Sequence, residues 1–116
     1  MRRLLVALLL APLAALALTP AAEEFMALAA KLEPVQCEKR KLRRALVLAE
    51  VEGRAADLRK LRARFDELNA DPQTAKLEKR LAVLEARVLD GQGRPRHPED
   101  LDAISLQQRE AFYRCE

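Results

Sequence analysis

Residues 71–91 have the sequence DPQTAKLEKRLAVLEARVLDG, which contains the start, the body and the end of one helix. Asp71 is a preferred N-cap residue, and Pro72 suits the first helical position because its missing N–H is not needed there. Gly91 is a typical terminator. The large apolar residues recur three and four apart, at Leu77, Leu81, Leu84 and Val88. The stretch therefore predicts an amphipathic helix over 72–89.

The chain on either side of this segment repeats its helical spacing and nowhere alternates as a strand would. Turn-forming residues divide it at Gly53 and in the loop 91–98, and Pro34 either ends or kinks the helix that contains it. We therefore expect further helices at 23–33, 35–52 and 54–68, and a last one after Pro98. Gly53 is either a tight turn or an interior residue of one long helix, and the flanking patterns favour the turn.

These segments predict an all-α fold, a small antiparallel helical bundle or hairpin of about four helices with coiled-coil-like seams. The helix at 35–52 is apolar nearly all round in its second half, where Val47, Leu48 and Val51 lie opposite its main apolar side. Such a helix is usually buried between neighbours, so we expect it to be central, with its Leu48 side facing the last helix. The expected seam of the last helix is Leu101, Ile104, Phe112 and Cys115.

The first 22 residues have the three-part layout of a secretory signal. Arg2 and Arg3 form a positive start, residues 4–18 form an apolar run that contains Pro12, and small residues follow. The run is shorter than the roughly 20 residues that a membrane span needs. We predict a cleavable signal peptide at 1–22, a single helical domain at 23–116 and a periplasmic location, with an uncleaved anchor as the alternative.

The cleavage position stays open at this stage. Ala15-Leu16-Ala17 has the small-x-small form of a processing site, whereas cleavage nearer Ala22 would leave a good helix start at Glu23.

The chain has two cysteines, Cys37 and Cys115, near the two ends of the predicted domain. Exported thiols meet an oxidising compartment and pair, so we expect a disulfide between them. The chain-entropy model assigns such a long loop closure roughly 4 to 5 kcal/mol.

The composition and the residue patterns argue against nucleic-acid binding, catalysis and metal binding. Removing Arg2 and Arg3 with the leader leaves 19 basic residues against 18 acidic ones, which makes no case for nucleic acid. His97, Ser105 and Thr74 have no plausible catalytic partners in the sequence. The cysteines and His97 match no compact metal pattern. We expect no enzyme activity, no cofactor and no metal.

The cluster Lys39, Arg40, Lys41, Arg43 and Arg44 is the first candidate interaction site. Within it like charges recur four residues apart, and they do so again at Lys60/Arg64 and Lys76/Arg80. Such pairs destabilise an isolated helix, so the sequence predicts anions elsewhere. These anions are either carboxylates on adjacent helices or an external polyanion such as anionic lipid or lipopolysaccharide.

Leu106 and Tyr113 are the second candidate. They lie seven residues apart on the last helix, off its expected seam. They either cover the short helix around Phe25 or form an exposed patch for a protein partner.

Several positions resemble a family of small exported Gram-negative proteins that is defined as a domain of unknown function. The resemblance rests on Cys37-Glu38-Lys39, on Leu48-Ala49-Glu50, and on Gly53 followed by Leu58, Leu61 and Leu68. It covers about a third of the chain, and Arg54 stands where the family has Asn. Asp71 lies near the family's second cysteine. The resemblance implies a periplasmic helical hairpin without an assigned activity.

The sequence therefore predicts an exported helical protein that acts by binding a periplasmic or envelope protein. A basic helix face that binds anionic lipid or polysaccharide is the alternative, and a self-assembling structural coiled coil is a third possibility.

Overall fold

The computed structural model describes residues 17–115, which form four α-helices and one short 3₁₀ turn. Residues 1–16, which hold most of the predicted leader, lie outside the described residues. The helices are α1 (Pro20–Val51), α2 (Ala55–Ala70), α3 (Pro72–Val88) and α4 (Leu101–Arg114), with the 3₁₀ turn at Pro98–Asp100. The all-α prediction is confirmed, since the described chain contains no strand beyond one isolated bridge between Leu89 and Pro95.

Two helix boundaries follow the local signals of the sequence. Asp71 caps α3, because its Oδ2 accepts a hydrogen bond of 2.9 Å from the backbone N–H of Thr74. Gly53 makes the turn between α1 and α2 at φ +67°, a left-handed conformation that glycine adopts without steric cost. The backbone N–H groups of Gly53 and Arg54 donate to carbonyls of the last turn of α1, which is a Schellman C-cap.

Helix α1 does not end at Pro34, so the predicted separation of helices 23–33 and 35–52 is wrong. α1 is one helix of 32 residues, about 48 Å long. Proline lacks the N–H that would bond to the Ala30 carbonyl, and it disfavours helical geometry in the residue before it. Contacts with the end of α4 lie on both sides of Pro34. Arg114 bonds to Glu33 before the proline, and Cys115 forms the disulfide with Cys37 after it.

Helices α2 and α3 run back along α1 in the antiparallel direction. The turn at Gly53 places the start of α2 beside the end of α1, and Arg64 of α2 then reaches Glu38 near the middle of α1. α3 continues the same course towards the N-terminal end, where Arg80 bonds to Glu24. Together α2 and α3 match the length of α1, and Asp71 alone lies between them.

Helix α4 runs parallel to α1 and in register with it. Three polar contacts join the two helices at a constant sequence separation of 81 residues: Thr19 with Asp100, Met26 with Gln107, and Glu33 with Arg114. Successive contacts are therefore seven residues apart on both helices, the repeat of a coiled coil. The predicted disulfide between Cys37 and Cys115 follows at the end of α4, with the two Cα atoms 5.5 Å apart.

The main core lies where α1, α3 and α4 meet. Its buried members are Ala22, Phe25, Leu32, Leu81, Leu84, Val88, Leu89 and Ile104. The last turns of α1, beyond Lys39, pair with α2, so this part of the molecule is a two-helix hairpin, with Leu42, Ala49 and Leu68 buried in it. The protein is thus a three-helix unit continued by a thinner hairpin.

Two packing predictions are wrong. The second half of α1 is not central, because Val47, Leu48 and Val51 are exposed and α4 does not reach them. The expected seam of α4 is only half correct. Ile104 and Cys115 are buried, while Leu101 and Phe112 face outward.

None of the described helices is both long enough and apolar enough to cross a membrane.

Candidate interaction surfaces

The basic cluster of α1 is dispersed around the helix, because five basic residues within six positions point in different directions. Lys39 is only 4% exposed, and its Nζ lies 2.7 Å from Oε1 of Glu78 on α3. Arg43 lies over the ring of Phe65 on α2, with the guanidinium carbon 5.7 Å from the ring centre. Lys39 is therefore engaged inside the protein, and Arg43 already has a cation–π partner.

Arg40, Lys41 and Arg44 are the remaining members of the cluster. Lys41 and Arg44 are exposed, and Arg40 is half-buried. Arg40 and Arg44 form no salt bridge with any residue from 17 to 115. These two arginines are the part of the predicted polyanion site that has unpaired charge.

Carboxylates on α1 provide the anions that the like-charge pairs elsewhere require. Helices α2, α3 and α4 each contribute one arginine that makes two hydrogen bonds to one glutamate of α1. The pairs are Arg64 with Glu38, Arg80 with Glu24, and Arg114 with Glu33. In each pair the guanidinium hydrogen bonds lower the pKa of the glutamate below its ordinary value. The carboxylates on adjacent helices thus fix how the helices pair.

One face of α1 combines the two unpaired arginines with exposed apolar side chains. Arg40, Arg44, Val47, Leu48 and Val51 recur at helical spacings of three and four, so they form a single stripe. Val51 at the end of the stripe is 80% exposed. We call this set the α1 stripe.

The outward face of α4 carries Leu106 and Tyr113, which are 53% and 64% exposed. They point away from the core, so they do not cover Phe25, which the core cluster buries. Of the two alternatives in the sequence analysis, the covering role does not fit this geometry.

Phe112 extends this exposed surface. It is 63% exposed and meets Tyr113 edge to face, with ring centres 5.6 Å apart. Phe112 was not expected at the surface, because its position in the sequence matches a seam with Ile104. A helix that packs on a single neighbour buries a narrower face than that pattern assumes. We call Leu106, Phe112 and Tyr113 the α4 patch.

A groove of about 340 Å³ lies between α3 and α4, with α1 as its floor. It exists because α3 and α4 both pack on α1 and make little contact with each other. Phe25 and Leu81 line its apolar base, and Gln36 and Gln108 line its polar rim. Phe112 lies at its edge, so the groove and the α4 patch are continuous.

The other residues considered for chemistry lie apart. His97 is exposed in the loop before α4, and Ser105 is half-buried within α4. Within residues 17–115, no group of three or more His, Cys, Asp or Glu side chains is placed to hold a metal ion.

Comparison with protein-family models, with curated proteins and with solved structures finds no match to this chain.

Proposed function

We propose that this chain is an exported, disulfide-closed helical protein of the periplasm that acts without catalysis, by binding a protein partner through the α4 patch. The observation that carries the proposal is the exposure of Leu106, Phe112 and Tyr113 on one short helix. Aromatic side chains such as Tyr and Phe are enriched in the buried centres of protein interfaces, and Tyr is among the residues that carry most of the binding energy there.

The way α4 is attached supports this role. Ile104 is the one large apolar side chain that α4 buries completely. Polar contacts to Thr19, Met26 and Glu33, together with the disulfide, provide the rest of its attachment to α1. The exposed apolar residues therefore do not serve to hold the helix in place, which leaves them available to a partner.

Export is supported by two independent features. The N-terminal 22 residues have the layout of a secretory signal, and the two cysteines are paired as an oxidising compartment requires.

The direct test is site-specific photocrosslinking in the cell envelope of the natural host. A photoreactive phenylalanine analogue replaces Tyr113 in one strain and the exposed Arg59 of α2 in a control strain. We expect a discrete adduct from position 113 that position 59 does not give. Leu106→Ser, in the same patch, is expected to abolish that adduct.

The stability of the variants decides how this result is interpreted. Because both side chains are exposed, Tyr113→Ser and Leu106→Ser are expected to shift Tm by no more than about 2 °C, as surface substitutions do. The same adducts from positions 113 and 59, or a large fall in Tm, would contradict the proposal.

The α1 stripe favours a second candidate function, binding to an anionic lipid surface. Exposed apolar residues next to arginines on one helix face are typical of segments that lie on membranes. The test is co-sedimentation with vesicles of phosphatidylcholine alone or mixed with phosphatidylglycerol. Binding only to the mixed vesicles, weakened by Arg44→Ser and by 0.5 M salt but not by Tyr113→Ser, would support this function over the first.

A further inference from the structure

Thr19 connects the start of α1 to the start of α4. Its backbone N–H donates to Oδ1 of Asp100 at 2.9 Å, and its hydroxyl donates to Oδ2 at 2.7 Å. The same hydroxyl oxygen accepts from the N–H of Ala22 at 3.3 Å, which caps α1. Thr19 thus provides the first of the three polar contacts that hold α4 in register with α1.

The residues around Thr19 also belong to the folded domain. Ala22 is fully buried, and Leu18 and Ala21 pack against the core cluster. Cleavage after Ala22 would remove the cap of α1, one core residue and both hydrogen bonds to Asp100. The predicted domain boundary between residues 22 and 23 therefore falls inside a structured element.

Asp100 is a fully buried carboxylate without a cationic partner among residues 17–115. The donors that reach it are the neutral groups of Thr19. Buried charges in proteins are normally paired, because desolvation penalises an isolated ion. Among residues 17–115, Asp100 thus has no ion-pair partner, although Arg87 and His97 line the pocket beside Thr19.

We propose that a signal peptidase hydrolyses the Ala17–Leu18 peptide bond, and that the Leu18 ammonium group released by this cleavage becomes the counter-charge of Asp100. The inference rests on the proposed export. Water is the co-reactant: the amide C–N bond breaks, Ala17 keeps the new carboxylate on the leader peptide, and Leu18 gains the protons of an ammonium group.

Both sides of the bond fit this cut. Ala15-Leu16-Ala17 places small residues at the first and third positions before the bond, as processing sites require. The nitrogen of Leu18 lies within about 4 Å of the Thr19 nitrogen by covalent geometry. Since the Thr19 nitrogen is 2.9 Å from Oδ1 of Asp100, rotation at Leu18 brings its ammonium close to the carboxylate. Cleavage at this bond retains every contact of Thr19.

The first experiment measures the intact mass of the protein purified from the envelope of its own host. A chain that begins at Leu18 supports the inference. A chain that begins at Glu23, or at any other processed position, overturns it and leaves the export proposal standing. A full-length mass with Cys37 and Cys115 still paired overturns the inference and leaves export through an uncleaved anchor. A full-length mass with both thiols reactive to alkylation overturns export, and the inference with it.

A variant pair tests the bond itself. Ala17→Phe places a large residue directly before the cut and is expected to abolish processing, whereas Ala14→Phe is expected to leave it unchanged. Processing of both variants to Leu18 would overturn the assignment of Ala17.

The counter-charge is tested by melting the chain that begins at Leu18 beside one that carries Gly-Ser in front of Leu18. We expect the free Leu18 form to melt about 5 °C higher. Asp100→Asn should reduce this difference, whereas Asp102→Asn, an exposed residue on the same helix, should not. Equal melting of the two wild-type forms would overturn the pairing even if Asp100→Asn does not fold.

Discussion

At the residue scale, Lys39 shows how a charge that looks available in the sequence becomes structural. Its ammonium group is buried between α1 and α3 and is paired at 2.7 Å with Glu78, whose side chain is 30% exposed. The two partners are therefore not equivalent. Glu78 reaches water without Lys39, but Lys39 without Glu78 would be an uncompensated buried charge.

This asymmetry predicts different costs for the two single substitutions. Glu78→Ala should lower the free energy of unfolding by about 3 kcal/mol, because it leaves the Lys39 charge buried and unpaired. Lys39→Met keeps the volume of the side chain and should cost less than about 1 kcal/mol. Urea denaturation of both variants measures the difference, and a larger cost for Lys39→Met would contradict the assignment.

At the element scale, the helices pair through α1. Each of α2, α3 and α4 contributes one arginine that forms two hydrogen bonds to one glutamate of α1. The register of these helices along α1 is therefore set by charge as well as by apolar packing. The parallel course of α4 depends on the same kind of contact. A helix of 14 residues with one fully buried large apolar side chain would have little other reason to keep its register.

These glutamates predict how stability depends on pH. Their pKa values are lowered in the folded state, so their contribution is present above the ordinary glutamate value of 4.5 and is lost as the pH falls through the folded values. We expect constant stability from pH 7 to about 5 and a fall below 4.5. Urea denaturation between pH 3.5 and 7 measures this fall.

The control for the pH prediction replaces three arginines with glutamine: Arg64, Arg80 and Arg114. This variant should lose less stability on acidification than the wild-type protein. Asp71 and Asp90 also have lowered pKa values, because backbone and side-chain donors bond to their carboxylates, so some pH dependence should remain. An equal fall in stability below pH 4.5 in the variant and in the wild-type protein would show that the three Arg–Glu pairs do not stabilise the fold.

Pro34 gives a second prediction at this scale, since the end of α4 bridges the helix on both sides of it. Replacing Cys37 and Cys115 with serine should cost about 4 kcal/mol on the chain-entropy model. Pro34→Ala restores a donor to α1 and should recover about 2 kcal/mol of that loss.

Pro72→Ala is the matched control, because Pro72 occupies the first position of α3, where no N–H is needed. It should bring little gain in stability. Equal effects of the two proline substitutions in chemical denaturation would show that Pro34 does not weaken α1.

At the scale of the whole molecule, stability is unevenly distributed. The core cluster lies in the three-helix part, while the hairpin of α2 and the second half of α1 buries few large side chains. The α4 patch lies on the first part and the α1 stripe on the second. The two candidate surfaces approach each other at the groove that Arg40 and Phe112 both line. Substitutions at Arg44 and at Tyr113, which do not line this groove, alter each surface without the other.

This division predicts the pattern of amide hydrogen exchange. We expect fast exchange over residues 44–60 and slow exchange over residues 22–32 and 80–89, because local opening is easiest where few apolar contacts are lost. Exchange measured by mass spectrometry on the oxidised protein tests this. Uniform protection along α1 would contradict the division into two parts.

The sequence by itself determined those features that depend only on residues close together in the chain. The helical class, the cap at Asp71 and the turn at Gly53 follow from local chemistry, because capping groups and a left-handed glycine act within one turn of backbone. The disulfide followed from the cysteine count and the predicted compartment. These predictions did not require knowledge of which helix lies beside which.

Only the tertiary structure decided the continuity of α1 through Pro34, the parallel course of α4 and the exposure of the α1 stripe. Each depends on contacts between residues far apart in the chain. The energies of these contacts outweigh the conformational preference that nearby residues would impose. A proline weakens a helix by a few kcal/mol, and a neighbouring helix bonded on both sides of it offsets that cost. Similarly, an apolar face is buried only where a neighbour reaches it. α4 ends at Arg114, and the next residue, Cys115, is bonded to Cys37, well before Val47.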